Sequence, residues 1–316
     1  MRTQPVTRSA LVAVTALAAA CAACGSSPAS PASSTSGGAG FPITVTTAAG
    51  AAHLVSRPDA IVSLSPTVTE MLYAIGAGKQ VKAVDSYSDY PASAPITKVS
   101  AFQPNAEAIA TYKPDLVIIS NNINGITAKL KALSIPVLDL PAATNVSGVY
   151  AEITQLGAAT GHTAQARAED ARLKADIARI VASEPKRSHP LTYYYELGAN
   201  PYYSVTDSTF IGSVLSLLGM RSIADSATGA AAAGGYPELS PEFIFKSNPD
   251  FIILSDTANN GGQSAAAVYA RPGWSALTAV KDKHVIALNG DVASRWGPRI
   301  VQILQEVAAA TRSSSS

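Results

Sequence analysis

The sequence predicts an α/β protein of two lobes, each built on a mainly parallel sheet, bridged by a single long helix, with a ligand cleft between the lobes. Three observations predict it. Short apolar runs alternate with helical patterns over most of the chain. That alternation stops from Ser147 to Ser183, where no strand signal occurs. A pattern from Glu107 to Ser120 then recurs from Glu242 to Ser255, on the other side of the interruption.

The elements follow in order. Ile61 to Leu64 reads as a strand, with a helix after it from Thr67 to Ile75. Val81 to Asp85 is a second strand, Asn105 to Tyr112 a helix, and Leu116 to Ile119 a third strand. Gly125 to Leu133 is helical and Val137 to Leu140 is a strand. Alternation of this kind gives a parallel sheet covered by helices. In the strandless stretch, Leu173, Ile177, Ile180 and Val181 recur at helical spacing with charges elsewhere, so Arg167 to Val181 forms an amphipathic helix. Gly157, Gly161 and His162 mark the one interruption of the stretch, and Glu184-Pro185 ends the helix. Strands follow at Leu191 to Glu196, Phe251 to Leu254 and His284 to Ala287. Helices follow near Phe210 to Leu218 and from Arg299 to Thr311.

The repeat is the strongest internal signal. Glu107-Ala-Ile-Ala-Thr-Tyr-Lys-Pro114-Asp115-Leu-Val-Ile-Ile-Ser120 matches Glu242-Phe-Ile-Phe-Lys-Ser-Asn-Pro249-Asp250-Phe-Ile-Ile-Leu-Ser255 at the glutamate, the Pro-Asp, the apolar run and the closing serine. An aromatic precedes each glutamate, Phe102 and Tyr236. Helix, Pro-Asp turn and strand is a common connection, but it does not account for matched glutamates and aromatics. The reading is a lobe over residues 41–146, a bridging helical segment over 147–186 and a second lobe over 187–312.

The N-terminus reads as an export signal. Arg2 and Arg8 precede an apolar run from Ala10 to Ala20. That run is shorter than the about 20 residues a membrane span needs, and small residues close it. The stretch Leu17-Ala18-Ala19-Ala20-Cys21-Ala22-Ala23-Cys24-Gly25 resembles a bacterial lipoprotein cleavage site. Cys24, with Cys21 as the alternative, is the candidate for lipid modification, giving a signal over residues 1–23 and a tether over 24–40. The Ser, Pro, Ala and Gly of the tether cannot bury enough apolar surface to fold. The formal charge is +1, and loss of Arg2 and Arg8 leaves −1. Neither value supplies the basic excess that nucleic acid requires.

Ile61-Val-Ser-Leu-Ser-Pro66-Thr-Val-Thr-Glu70, both Glu…Pro-Asp segments and Arg271-Pro-Gly-Trp-Ser-Ala-Leu-Thr-Ala-Val280 resemble the periplasmic binding proteins that serve iron-siderophore, haem and cobalamin ABC transporters. The resemblance spans about Ile43 to Thr311. It implies two lobes, a bridging helix, a small-molecule ligand in the cleft, permease subunits as partners, a monomer, no cofactor and no enzymatic activity. Asp85-Ser-Tyr87-Ser-Asp89-Tyr90-Pro91 is most similar to the cobalamin-binding branch. By the same resemblance, Phe102 and Tyr236 stand where that branch has ligand-facing tryptophans. Asp291 and Arg295 match the spacing of an Asp and an Arg that contact the corrin side chains. Another cleft tryptophan of that branch, just after the strand ending near Ser120, has no aromatic counterpart. Tyr87, Phe102, Tyr236, Asp291 and Arg295 are therefore the candidate ligand-binding residues, and Glu107 and Glu242 the candidate transporter-docking residues. Trp296 adjoins them, with no sequence signal for its direction.

Physical chemistry agrees with a macrocyclic ligand. Aromatics cover broad faces at little entropic cost, and Asp and Arg can hydrogen-bond amides at a rim. The Asp291 to Arg295 step of four is equally the spacing of a local ion pair. Other readings are weaker. Among enzyme signals, there is no Gly-x-Ser-x-Gly elbow and no phosphate-binding loop; the pairs Gly234-Gly235 and Gly261-Gly262 lack a strand–helix context. A metal receptor needs convergent ligands, and His53, His162, His189 and His284 are scattered. Haem stays open because tyrosine ligates haem iron, as does a ferric siderophore. A structural surface lipoprotein is the remaining alternative.

Overall fold

The computed structural model describes residues 40–257 and 262–314. The signal segment, the tether through Ala39, both cysteines and Gly261 lie outside the described residues. An antiparallel hairpin, β1 (Ile43–Thr47) and β2 (Gly50–Leu54), comes first. The sequence reading missed it, because only Val45, Ala52 and Leu54 are buried in it.

The first lobe then follows the predicted alternation. Its elements are β3 (Ile61–Leu64), α1 (Pro66–Ala74), β4 (Val81–Val84), α2 (Ala106–Ala110), β5 (Leu116–Ile119), α3 (Ile126–Ala132) and β6 (Val137–Asp139). The four strands form one parallel sheet in the order β4-β3-β5-β6. The helices start where local chemistry tells them to. Ser65 caps α1 by accepting from the Val68 amide, with Pro66 in the first turn. Asn105 caps α2 by accepting from Ala108.

The bridging segment is a helix pair: α4 (Val146–Thr160) and the longer α5 (Thr163–Ala182). The break falls where the glycines and His162 stand. Gly161 takes a φ of 75° to cap α4. A Cβ at Gly157 would collide with Ala166, so the two helices can meet at this corner only over glycine.

The second lobe holds β7 (Leu191–Glu196), β8 (Gly198–Ala199), β9 (Tyr202–Tyr203), α6 (Phe210–Ser216), β10 (Met220–Ser222), β11 (Glu238–Leu239), α7 (Pro241–Ser247), β12 (Phe251–Leu254), α8 (Ala265–Tyr269), α9 (Thr278–Lys281), β13 (Val285–Ala287), α10 (Gly290–Ala293) and α11 (Ile300–Ser313). Its main sheet is parallel, in the order β10-β7-β12-β13. Taken by order of appearance, both sheets run second, first, third, fourth. The internal repeat is thus a repeat of topology. Among the described residues, the three-stranded antiparallel sheet β11-β9-β8 lies in the second lobe and has no counterpart in the first.

The Pro-Asp of the repeat has a structural task. Asp115 Oδ2 accepts from the amides of Asp59 (2.8 Å) and Ala60 (3.0 Å), at the start of β3. Asp250 Oδ2 accepts from the amide (2.7 Å) and hydroxyl (2.8 Å) of Thr192, in β7. In each lobe the third strand is stapled to the first. The preceding residues, Lys113 (φ 49°) and Asn248 (φ 42°), both turn the chain through left-handed backbone.

The apolar runs of the central strands are buried on both sides, as covered parallel sheets require. Ile61, Leu116, Ile118, Tyr193, Phe251 and Ile253 point into one core that runs through the bridge and includes Leu156, Leu173 and Leu304. Their alternates fill separate cores: Val62, Leu64, Val117 and Ile119 in the first lobe, and Tyr194, Ile252 and Leu254 in the second.

Candidate ligand-binding site

A cavity of about 550 Å³ opens at the carboxyl ends of the first-lobe strands. Ser65 follows β3, Asp85 follows β4, and Ser120 and Asn121 follow β5; all four line it. The strand order reverses between β3 and β5, and such a switch point leaves a crevice outside an open parallel sheet. The volume lies within the range of small-molecule sites. The other side is closed by Asp291, Ser294, Arg295 and Trp296, from α10 and the turn after it.

Four of the five predicted ligand residues, Tyr87, Phe102, Asp291 and Arg295, line this cavity. Tyr87 and Phe102 are 58% and 64% exposed and meet edge to face, with ring centroids 5.5 Å apart. Tyr236 does not line it; it stands exposed just before β11 in the second lobe.

The Tyr87 loop is held from within. Asp85 Oδ1 accepts from the Tyr87 amide (2.9 Å), and its Oδ2 accepts from the Ser88 hydroxyl (2.6 Å). Burial pushes the Asp85 carboxyl above its usual range, against the pull of Ser88, Tyr87 and Arg295. Arg295 holds the same loop from outside. It donates to Glu70 Oε1 (2.9 Å), to the Tyr87 carbonyl (3.0 Å) and to Asp89 Oδ1 (2.9 Å), and it lies 3.5 Å from Asp291 Oδ1. Burial disfavours its charge, but Glu70 and Asp89 outweigh burial and raise its pKa.

Glu70, Arg299, Glu152 and Trp296 form the part that sequence reasoning did not resolve. Glu70 on α1 is buried and accepts from both Arg295 and Arg299. Arg299 also lies over the Tyr90 ring, 4.1 Å from its centroid. The Trp296 indole N–H donates to Glu152 Oε2 at 3.0 Å. The one available signal was Glu70 itself, a carboxylate between the apolar Val68 and Met71 of a helix, which demands a cationic partner.

Glu107 and Glu242 lie outside the cavity. Each is exposed and stands two residues after its helix cap, Asn105 or Ser240. The Glu242 carboxyl is lowered by its own backbone amide and by Ser240. Among the described residues, no group of three or more His, Cys, Asp or Glu side chains is placed to hold a metal ion. No described helix is long and apolar enough to cross a membrane.

Residues 61–292 match the family profile of the periplasmic binding proteins. The chain belongs to that family. Its members bind and carry transported substrates and are not enzymes. An uncharacterised ABC transporter substrate-binding lipoprotein of Bacillus subtilis is 30% identical over 85% of both chains. A cobalamin-binding protein of Halobacterium salinarum is 30% identical over 85% of this chain and 73% of its own. Among solved structures, the periplasmic vitamin B12-binding protein of Vibrio cholerae superposes with a TM-score of 0.67 at 28% identity, covering 82% of this chain and 98% of that one.

Proposed function

We propose that this periplasmic binding protein captures cobalamin or a related corrinoid and delivers it to the permease of an ABC importer. The observation that carries the reading is the charge of the cavity. Among the described residues, Arg295 is the one cationic residue that lines it, and it is already committed to Glu70, Asp89 and Asp291. The other charged lining groups are Asp85 and Asp291. A haem presents two carboxylates, and a catecholate siderophore complex is strongly anionic. Either would face carboxylates with no free cation among the described lining residues, which is costly in a partly desolvated site. A corrinoid presents apolar faces and a rim of neutral amides. Tyr87 and Phe102 suit the faces; Asn121, Asp291 and Ser294 suit the rim. A neutral ferric hydroxamate meets the same charge condition and is the competing cargo.

Glu107 and Glu242 are the docking residues in this reading. They occupy equivalent exposed positions at the start of equivalent helices, one per lobe, which supports a pseudo-symmetric seat on two permease subunits. A first-turn glutamate also favours its own helix dipole, but that gives no reason for exposure at the same place in both lobes. Cys24, or Cys21, carries the lipid anchor, and the protein acts as a monomer. Uptake of radiolabelled cyanocobalamin by cells that depend on this protein tests the function. Deletion abolishes uptake and the intact gene restores it; unchanged uptake of cyanocobalamin, with loss of a ferric hydroxamate instead, would assign the competing cargo.

A further inference from the structure

We infer that Trp296 is a ligand-contacting residue of the cavity and that Glu152, on α4 in the bridge, is its positioning residue; this rests on the reading of the cavity as the ligand site. Trp296 lines the cavity, yet it comes from the segment after α10 rather than from the lobe that supplies Tyr87 and Phe102. The positions after β5 are Ser120 and Asn121, so that part of the wall has no ring of its own. Trp296 is the third aromatic of the lining and the largest.

Its orientation is fixed rather than adaptable. The ring is half-buried and packs against the core that runs through the bridge. Its N–H is tied to Glu152, which is 5% exposed. An indole with its polar atom satisfied away from the cavity offers only apolar ring surface to a ligand. Such a held ring contacts a flat ligand without losing rotamer freedom on binding. Glu152 thereby links the bridge to the cavity, although it does not line the cavity itself.

Calorimetric titration of the purified protein with cyanocobalamin, haemin and a ferric hydroxamate tests this, using W296A, W296L, E152L and E152Q beside the wild type. W296L keeps apolar bulk against the core if W296A fails to fold. With the probe that the wild type binds, loss of the ring weakens affinity roughly 10- to 100-fold, the range of a buried aromatic anchor. E152L weakens it several-fold and shifts the Trp296 emission maximum in a W274F background. E152Q, whose amide oxygen still accepts the indole N–H, restores both. Wild-type binding with W296L equally tight would overturn the inference and leave the cavity reading intact. Binding of none of the three probes would overturn the cavity reading and the inference with it. Equal effects of E152L and E152Q would remove Glu152 as the positioning residue.

Discussion

The two lobes share a sheet topology and differ at the carboxyl edge of the sheet. Both sheets have the same strand order, the same Pro-Asp staple and the same capped helix with an exposed glutamate before the third strand. Beyond the strand ends they part. In the first lobe the loops after β3, β4 and β5 leave a cavity. In the second, Glu196 at the end of β7 is buried and accepts from both terminal guanidinium nitrogens of Arg271, Nη1 at 2.8 Å and Nη2 at 2.9 Å. Arg271 in turn lies over the Trp274 ring, 4.1 Å from its centroid, and β8, β9 and β11 add a small sheet beside it. What is repeated serves folding and, in the proposed reading, docking; the cavity proposed to hold the ligand belongs to what is not repeated.

The widest expected effect breaks the repeated part. Reversing both Glu107 and Glu242 to Arg abolishes cyanocobalamin uptake while leaving binding by the purified protein unchanged, because rim charges govern docking and orientation. Each single reversal loses part of the uptake, and to a similar degree if the lobes seat equivalently. Unchanged uptake in the double variant removes these residues from docking.

The next effect separates the two buried ion clusters. Glu70→Gln leaves Arg295 and Arg299 facing each other without their shared carboxylate, and costs about 3–5 kcal/mol of unfolding free energy in denaturant titration. Glu196→Gln strips a single arginine of its partner and costs less. The reverse ranking would show that the Glu70 cluster does not secure the C-terminal segment to the first lobe. Smaller still are Asp115→Ala and Asp250→Ala, each removing two accepted hydrogen bonds. Each costs about 1–3 kcal/mol, and the two should agree within about 1 kcal/mol if the staples are equivalent.

The subtlest effect is one of pH. Burial raises the Glu152 carboxyl from 4.5 to about 8, against hydrogen bonds from Trp296 and the Ala143 backbone. Between those values the unfolded chain has released this proton and the folded chain keeps it. The folded state binds more protons there, so this group's contribution to stability falls as pH rises from 4.5 to about 8. Glu152→Gln cannot ionise and flattens that part of the stability curve. An unaltered slope in the variant would mean that Glu152 is already ionised at neutral pH.

Most of the fold was legible because its signals are local. The strands at Leu116–Ile119 and Phe251–Leu254 begin and end where their apolar runs do, and Leu191–Glu196 has the bounds its sequence predicts. Short edge pieces were not: β10 (Met220–Ser222) contains Arg and Ser, and β8 and β9 have two residues each, too few to show a period. The bridge reads as a helical segment interrupted near Gly157, Gly161 and His162, and the structure breaks it at Gly161 and His162. The site was legible as positions but not as partners. Asp291 and Arg295 were seen as a pair four apart, whereas Arg295 also reaches Glu70, 225 residues away in sequence. Trp296 gave no sign of its direction, because that direction is set by Glu152, 144 residues earlier. Pairings across such distances depend on how the C-terminal segment returns to the first lobe, which no local pattern encodes.

In the proposed reading the cavity selects a neutral, amide-rimmed ligand because its arginine is already neutralised. Calorimetric titration with cyanocobalamin and haemin at low and high salt addresses it directly. The expected result is saturable one-to-one binding of cyanocobalamin with little dependence on ionic strength, and weak or absent binding of haemin. Tight, salt-sensitive binding of haemin with no heat from cyanocobalamin would contradict it.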